Sequence, residues 1–355
     1  MNIPTRPIRV GLLGYGFAGK TFHAPLIGAC EGLSLHAVAS RDAGKVHADY
    51  PGVSIHRTPE ALIQDDAIDV VVIATPNDTH APLARMALEA GRHVVVDKPF
   101  ALDLAEARGL VALARASGRH LQVFHNRRWD SDFLTVHHAI ESGLLGRVTH
   151  FESRIDRFRP QVRDRWREHA VPGAGIWFDL GPHMVDQALV LFGLPDRITA
   201  SLAIHRDGAQ VDDWAHAILD YGEQRVVIHA GMLVAGGSAR FIVHGTGGSA
   251  VKFRADGQEA QLLAGMRPGT PGWGEDTDAL AFYGGSGEPR SIPAMPGDQR
   301  GFYTAVAAAL AGDAPPPVRP IEALAVMAVL EAGTASAREG RSMPLPLTPE
   351  ERAAW

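Results

Sequence analysis

One stretch constrains this chain more than any other: Ile8–Gly19, reading Ile-Arg-Val-Gly-Leu-Leu-Gly-Tyr-Gly-Phe-Ala-Gly. Its first half is a short apolar run of the kind that makes a buried parallel strand. Its second half sets Gly14, Gly16 and Gly19 at the spacing G-x-G-x-x-G. The pyrophosphate of a dinucleotide asks for a tight turn after a strand, a position without a side chain, and close helix–strand packing. The helix that follows then offers free backbone N–H groups and the positive end of its dipole. Glycine-rich turns are common in ordinary loops, so the pattern gains weight only from its context. Here a strand precedes it and an apolar segment at helical intervals, Thr21–Ala29, follows.

The chain beyond it alternates. Leu33–Ala39 reads as the next strand, Thr58-Pro59-Glu60 as a helix cap with proline at the first helical position, and Val70–Ala74 as a continuous apolar strand. Thr75-Pro76-Asn77 leads into a helix reaching Ala90, and Val94–Val96 is a buried strand ending in Asp97-Lys98-Pro99. Asp103-Leu-Ala-Glu106 resembles a capping box, its helix stops near Gly118, and Leu121–Phe124 is a further strand. Strands and helices alternating in this way mean a parallel, doubly wound sheet, whose ligands sit at the carboxyl ends of the strands. Thr75, Asn77 and Lys98 fall at such ends.

At 355 residues the chain is longer than most single domains, and its pattern changes near residue 125. A helix over Phe133–Ser142 and an extended run over Val148–Phe158 come next. Ile198–His205, Trp214–Tyr221, Arg225–Met232, Arg240–His244 and Ser249–Phe253 read as a meandering, mostly antiparallel sheet. Helices are expected over Pro182–Phe192, Gly301–Ala311 and Ile321–Arg338. The expected architecture is α/β: a dinucleotide-binding Rossmann domain over 1–124, and an α+β domain over 125–355 with a large, open sheet for substrate binding and oligomerisation.

Three places carry candidate chemistry. The second strand ends in Ala39-Ser40-Arg41 instead of the acidic residue that NAD enzymes aim at the adenosine ribose. A guanidinium there suits a 2′-phosphate, which favours NADP(H), with NAD(H) the lesser alternative. Lys98, at a strand's carboxyl end before a proline that is cis or trans, could hydrogen-bond a substrate hydroxyl. A solvated loop lysine is the ordinary alternative. Asp179 and His183 stand four apart, but Gly181-Pro182 argue against one regular helix through both. Pro182 in a first helical turn would place His183 near a helix N-terminus, where the dipole keeps the imidazole neutral and able to accept a proton. Asp179 would orient the ring, as in other carboxylate–histidine pairs. A structural helix cap is the plainer reading, and no further ligand-spaced cluster supports a metal.

Taken together, Gly-Tyr-Gly-Phe-Ala-Gly-Lys-Thr-Phe-His-Ala-Pro-Leu-Ile (14–27), Ala-Thr-Pro-Asn (74–77), Val-Asp-Lys-Pro (96–99), Phe-His-Asn-Arg-Arg-Trp-Asp (124–130) and Asp-Leu-Gly-Pro-His (179–183) resemble the Gfo/Idh/MocA oxidoreductases. The resemblance spans about residues 8 to 340 and is greatest to the NADP-dependent scyllo-inositol dehydrogenase branch, which the segment 156–168 of this chain also resembles. Asp97 stands where the family usually has glutamate. The resemblance implies a catalytic set of Lys98, Asp179 and His183. It implies a cofactor laid across Gly14, Gly16, Phe17, Ala18 and Gly19, with Ser40, Arg41, Thr75, Pro76, Asn77, His80 and Lys98. It also implies dimers or tetramers built through the open face of the C-terminal sheet.

Asn126, Trp129 and Arg157 join Lys98 and His183 as candidate substrate residues. The dense arginines at 157, 159, 163, 165 and 167 read mostly as structural partners of Asp156, Asp164 and Glu168. The expected activity is NADP(H)-dependent interconversion of a secondary alcohol and a ketone on a cyclic polyol or sugar, with no metal. The alternatives are a reductase of another acceptor, such as a dihydrodiol or keto sugar, and a non-catalytic NADP(H) sensor. A net charge of -6 gives no reason to expect nucleic acid or an anionic membrane as a partner. The single cysteine, Cys30, excludes an intrachain disulfide framework. With no apolar secretory core over Met1–Pro7 and no stretch near the ~20 apolar residues of a membrane span, the expected location is the cytoplasm.

Overall fold

The computed structural model describes residues 6–286 and 288–355; the first five residues of the stretch read for a secretory core lie outside the described residues. The chain packs as two compact units. The first takes the chain as far as Trp129 together with Gln258–Trp273 and Asp298–Ala323; the second takes Asp130–Gly257, Gly274–Gly297 and Leu324–Trp355. This differs from a single boundary at 124/125 in residues 125–129 and in two later segments. The helix Arg300–Leu310 packs on the helix Ala24–Gly28, so contacts rather than chain order assign it to the first unit.

The first unit holds six parallel strands: β1 (Ile8–Leu13), β2 (Leu33–Ala39), β3 (Ser54–His56), β4 (Val70–Ile73), β5 (His93–Val96) and β6 (Leu121–Val123), in the order β3-β2-β1-β4-β5-β6. That is the doubly wound order, in which the strand sequence reverses between β1 and β4. All four residues of β4 are buried, as a parallel strand covered on both faces requires. Helix starts are marked by side-chain caps. The Thr58 hydroxyl accepts the Ala61 N–H ahead of Pro59, and Asp103 accepts the Glu106 N–H at 2.8 Å. Glu106 reaches back to the N–H of Leu102, not to that of Asp103 as a capping box would. Gly118, at φ 63°, closes that helix in the left-handed conformation.

The second unit is built on nine strands: β7 (Val148–Asp156), β8 (Arg197–Ala203), β9 (Trp214–Tyr221), β10 (Gln224–Gly231), β11 (Phe241–Gly245), β12 (Gly248–Lys252), β13 (Leu280–Tyr283), β14 (Arg290–Ile292) and β15 (Met343–Pro344). Their order is β14-β13-β12-β11-β7-β10-β9-β8-β15, and among the described residues only β7 and β10 pair in parallel. The alternation of buried and half-exposed residues separates two faces. One carries Phe151, Ala217, Leu219, Val226 and Ile228, all fully buried, and receives the helix Ile176–Phe192. The other carries His150, Glu152, Arg154, Trp214 and His216.

The expectation of no stretch near the length of a membrane span does not hold. The helix Pro320–Glu339 is long and apolar enough to cross a membrane by length and composition. Its apolar centre, Leu324 to Leu330, is nowhere more than 4% exposed, so that length is used inside the protein's own core.

Candidate active site

The three glycines of the first turn meet three different constraints. Gly14 has φ 91°, and a Cβ there would lie 2.7 Å from the Ala74 carbonyl oxygen. A Cβ on Gly19 would run into the Gly14 carbonyl. At Gly16 it would meet nothing within 4 Å. A tight turn, a close helix–strand contact and an open approach to the backbone are what a pyrophosphate needs. The chain then enters a π-helical turn, Gly19–His23, before Ala24–Gly28. Such turns are rare and concentrate at functional sites. Phe17 is 56% exposed, edge-on to Phe22, and Ala18 is half-buried.

Past β2, Asp42 accepts the Lys45 N–H at 2.9 Å and so caps the helix Ala43–Asp49. The Ser40 hydroxyl accepts the Asp42 N–H, and Arg41 is exposed. The one carboxylate next to this strand end is therefore held by a helix. Past β4, the Thr75 and Thr79 hydroxyls lie 2.6 Å apart, and Asn77 is buried.

His80, expected as a cofactor contact, is held between two backbone carbonyls. Its Nδ1 lies 2.8 Å from the Pro99 carbonyl, its Nε2 3.0 Å from the Thr75 carbonyl, and the ring is 1% exposed. Burial, the largest influence, lowers its pKa against the pull of Asp97 and of the two carbonyls. Its two ring nitrogens thereby tie the Thr75 and Pro99 loops together.

The turn Lys98–Pro99 is cis. Asp97 accepts the Lys98 backbone N–H at 2.8 Å, and its other oxygen lies 3.7 Å from Nε2 of His23. His23 Nδ1 is 2.6 Å from the Tyr303 hydroxyl, and its ring packs on Phe124 at 4.2 Å. Burial alone would raise the Asp97 carboxyl, but His23, Lys98 and His80 outweigh it and hold it down to about 2. Sequence reasoning passed over His23, although it lies inside the quoted stretch 14–27. Tyr303 carried no signal at all. Trp129, expected near the substrate, packs its ring across Gly301 and edge-on to Phe302; Asn126 is buried in the turn after β6.

In the second unit the expected helix start at Pro182 is wrong. The helix runs Ile176–Phe192 with Pro182 inside it. A proline there lacks the N–H that would bond the Phe178 carbonyl, yet the helix continues because its N-terminus is anchored independently. The Asp212 carbonyl accepts the Ile176 N–H and the Asp212 carboxylate accepts the Trp177 N–H, both at 2.8 Å. Gly181 lets this helix lie close against Leu330. His183 is thus two turns inside the helix, and the N-terminal dipole acts instead on Asp179, which sits in the first turn. Asp179 and His183 remain one turn apart on one helix face.

Arg167 Nε lies 3.5 Å from Asp179 Oδ1 and stacks on Trp166 at 4.6 Å. Arg165 pairs with Glu168 at 2.9 Å, and buried Arg206 bridges Glu168 and Asp213 at 3.0 and 2.8 Å. Of the arginine cluster, then, Arg165 has the expected structural partner, whereas Arg167 faces a candidate catalytic group. Arg157 follows β7, its N–H donating to the Gly231 carbonyl.

Two family profiles cover most of the chain. Residues 8–125 match an oxidoreductase family's NAD-binding Rossmann fold, and residues 137–346 match the same family's C-terminal alpha/beta domain. An uncharacterized oxidoreductase of Escherichia coli, YdgJ, is 52% identical over 95% of this chain and 99% of its own length. The scyllo-inositol 2-dehydrogenase (NADP(+)) IolW of Bacillus subtilis is 34% identical over 95% of this chain and 96% of its own. A crystal structure from Klebsiella pneumoniae, 54% identical, superposes with a TM-score of 0.93 over 98% of both chains.

Proposed function

Because the chain belongs to the Gfo/Idh/MocA family of oxidoreductases, we propose that it interconverts a secondary alcohol and a ketone on a cyclic polyol or sugar, using NADP(H). The carrying observation is the carboxyl edge of the first sheet. There the glycine turn leaves open room at Gly16, and Arg41, Thr75 and Lys98 stand at neighbouring strand ends. IolW, named for NADP and scyllo-inositol, supports the same choice of cofactor and substrate class.

A bound nicotinamide dinucleotide supplies or accepts the hydride. The pyrophosphate belongs over Gly14, Gly16 and Gly19, and the adenosine ribose beside Ser40 and Arg41. In the oxidative direction the substrate hydroxyl gives its proton to His183, and the Lys98 ammonium hydrogen-bonds the developing alkoxide oxygen. Asp179 orients the imidazole and stabilises the charge it gains, while Arg167 holds the Asp179 carboxylate in place. The cytoplasm is the proposed location, in keeping with a lone, buried Cys30. A second copy of the chain is the proposed partner, seated on the sheet face that carries Trp214 and His216.

The deciding experiment is a panel of inositols and aldoses with NADP+ and with NAD+, run on the wild type, Lys98→Ala and His183→Ala. Turnover of a polyol with NADP+, reduced at least a hundredfold in both variants, is expected. Undiminished turnover in both would overturn the assignment, and tight NADPH binding with no turnover of any polyol, sugar or imine would point to a sensor.

A further inference from the structure

Two arginines leave neighbouring strands at the same edge of the parallel sheet. Ala39, the last residue of β2, is the register partner of His56, the last residue of β3. One step further, the Ser40 N–H donates to the His56 carbonyl at 3.0 Å, so the two chains stay paired to the edge itself. Arg41 comes two residues after the end of β2 and Arg57 one residue after the end of β3. Neighbouring strands run about 4.8 Å apart, well within the span of two arginine side chains.

Both arginines are exposed, and among the described residues neither is hydrogen-bonded or ion-paired. Of the acids near in sequence, Asp42 caps its helix, Asp65 accepts the Ala67 N–H and faces His56 at 3.1 Å, and Asp66 pairs with Arg92 at 3.0 Å. Glu60, exposed in the first turn of the helix Pro59–Ile63, pairs with neither arginine. Two cations held near one another with no counter-charge repel, and a dianion between them turns that repulsion into attraction. The ligand chemistry that matches is a phosphate monoester, which takes charge-assisted, bidentate bonds from guanidinium groups.

The geometry points to Arg57 as the second jaw of a phosphate clamp with Arg41, selecting a dinucleotide that carries a phosphate on its adenosine ribose. The inference rests on the dinucleotide reading given above and adds a residue from a different strand to it. Arg57 lies before the Thr58 cap, so its side chain can be removed without touching a core contact or the cap hydrogen bond.

Calorimetric titration of the wild type, Arg57→Ala, Arg41→Ala and the double variant with 2′,5′-ADP, 5′-AMP, NADPH and NADH tests it. Arg57→Ala is expected to weaken 2′,5′-ADP and NADPH about tenfold, the loss of one charge-assisted contact, and to leave 5′-AMP and NADH unchanged. Its effect should shrink when Arg41 is already absent. An Arg57→Ala protein that keeps the full preference for the phosphorylated ligands overturns the clamp while leaving the cofactor reading intact. Equal weakening of all four ligands also overturns it. A wild type that binds NADPH no better than NADH, or binds neither, overturns the cofactor reading and the clamp together.

Discussion

The carboxylate of Asp97 stands 3.7 Å from Nε2 of His23, a ring with no exposed surface, while its other oxygen holds the backbone N–H of Lys98. At that distance the contact is electrostatic, not a hydrogen bond. A buried negative charge therefore lies directly behind the turn that presents Lys98.

Asp97 is depressed to about 2 from an ordinary 3.8. A group whose folded value lies below its unfolded one stabilises the protein above the unfolded value, and that stability is lost as the pH falls through the folded one. Replacing Asp97 by asparagine should cost on the order of 2 kcal/mol at pH 7. The gap between variant and wild type should close between about pH 4 and pH 2. Urea unfolding at a series of pH values measures it, and a cost that persisted undiminished at pH 2 would contradict the electrostatic account.

Asp212 has the opposite sign. Burial, its largest influence, raises the carboxyl above the ordinary range despite the N–H groups that face it. The ionised form is therefore a cost that is absent below the unfolded value and grows as the pH rises through the folded one. Asp212→Asn keeps an oxygen for the Trp177 N–H and removes the buried charge, so at pH 7 it should be far milder than Asp212→Ala. Losing the side-chain cap should cost about 1–3 kcal/mol. Equal losses for both variants in denaturant unfolding would show that the cap hydrogen bond is not what matters.

Arg167 is expected to act through Asp179. Arg167→Ala should lower kcat roughly ten- to a hundredfold, the scale on which misplaced catalytic groups lose rate, and should leave the dissociation constant for NADPH unchanged. Arg167→Lys should recover part of the loss and displace the pH profile, because it restores charge without the planar fork. Steady-state kinetics across pH, with fluorescence titration of NADPH, separates the two. A parallel loss of cofactor binding would mean that Arg167 serves the fold of its segment instead.

The glycine turn separates stability from binding. Gly16→Ala places a methyl in open space, so its unfolding midpoint should stay near that of the wild type while NADPH affinity falls at least about tenfold. Gly19→Ala drives its Cβ into the Gly14 carbonyl and should cost about 1–3 kcal/mol before any ligand is added. Thermal unfolding of both variants with and without NADPH checks the contrast.

Much of the first unit was legible because its signals are local. Apolar runs the length of β4, the Thr58 and Asp103 caps and the Gly118 stop each depend on a few consecutive residues. The helix through Pro182 was not legible, because what sustains it is Asp212, far along the chain, and no local rule reports an anchor of that kind. The placement of His80 was not legible for a similar reason. Its position after Thr75-Pro76-Asn77 suggests a ligand contact, and its ring nitrogens meet the Pro99 and Thr75 carbonyls, one of them supplied by a different strand end. The arginine cluster divided in the same way. Arg165 meets an acid three residues on, whereas Arg167 meets Asp179 across a loop.

The hydrogen bond between His23 and Tyr303 joins residues 280 apart in the chain. All six strands of the parallel sheet have been synthesised once residue 123 has left the ribosome, but Tyr303 follows 180 residues later. At ordinary rates of translation that gap lasts roughly 10 to 40 s. For that interval the nascent sheet waits with His23 and Phe124 lacking their aromatic cover from Tyr303 and Phe302. A chain cut short anywhere before the helix Arg300–Leu310 keeps this seam open to chaperones and proteases, so the first unit is complete only once that late segment has been made.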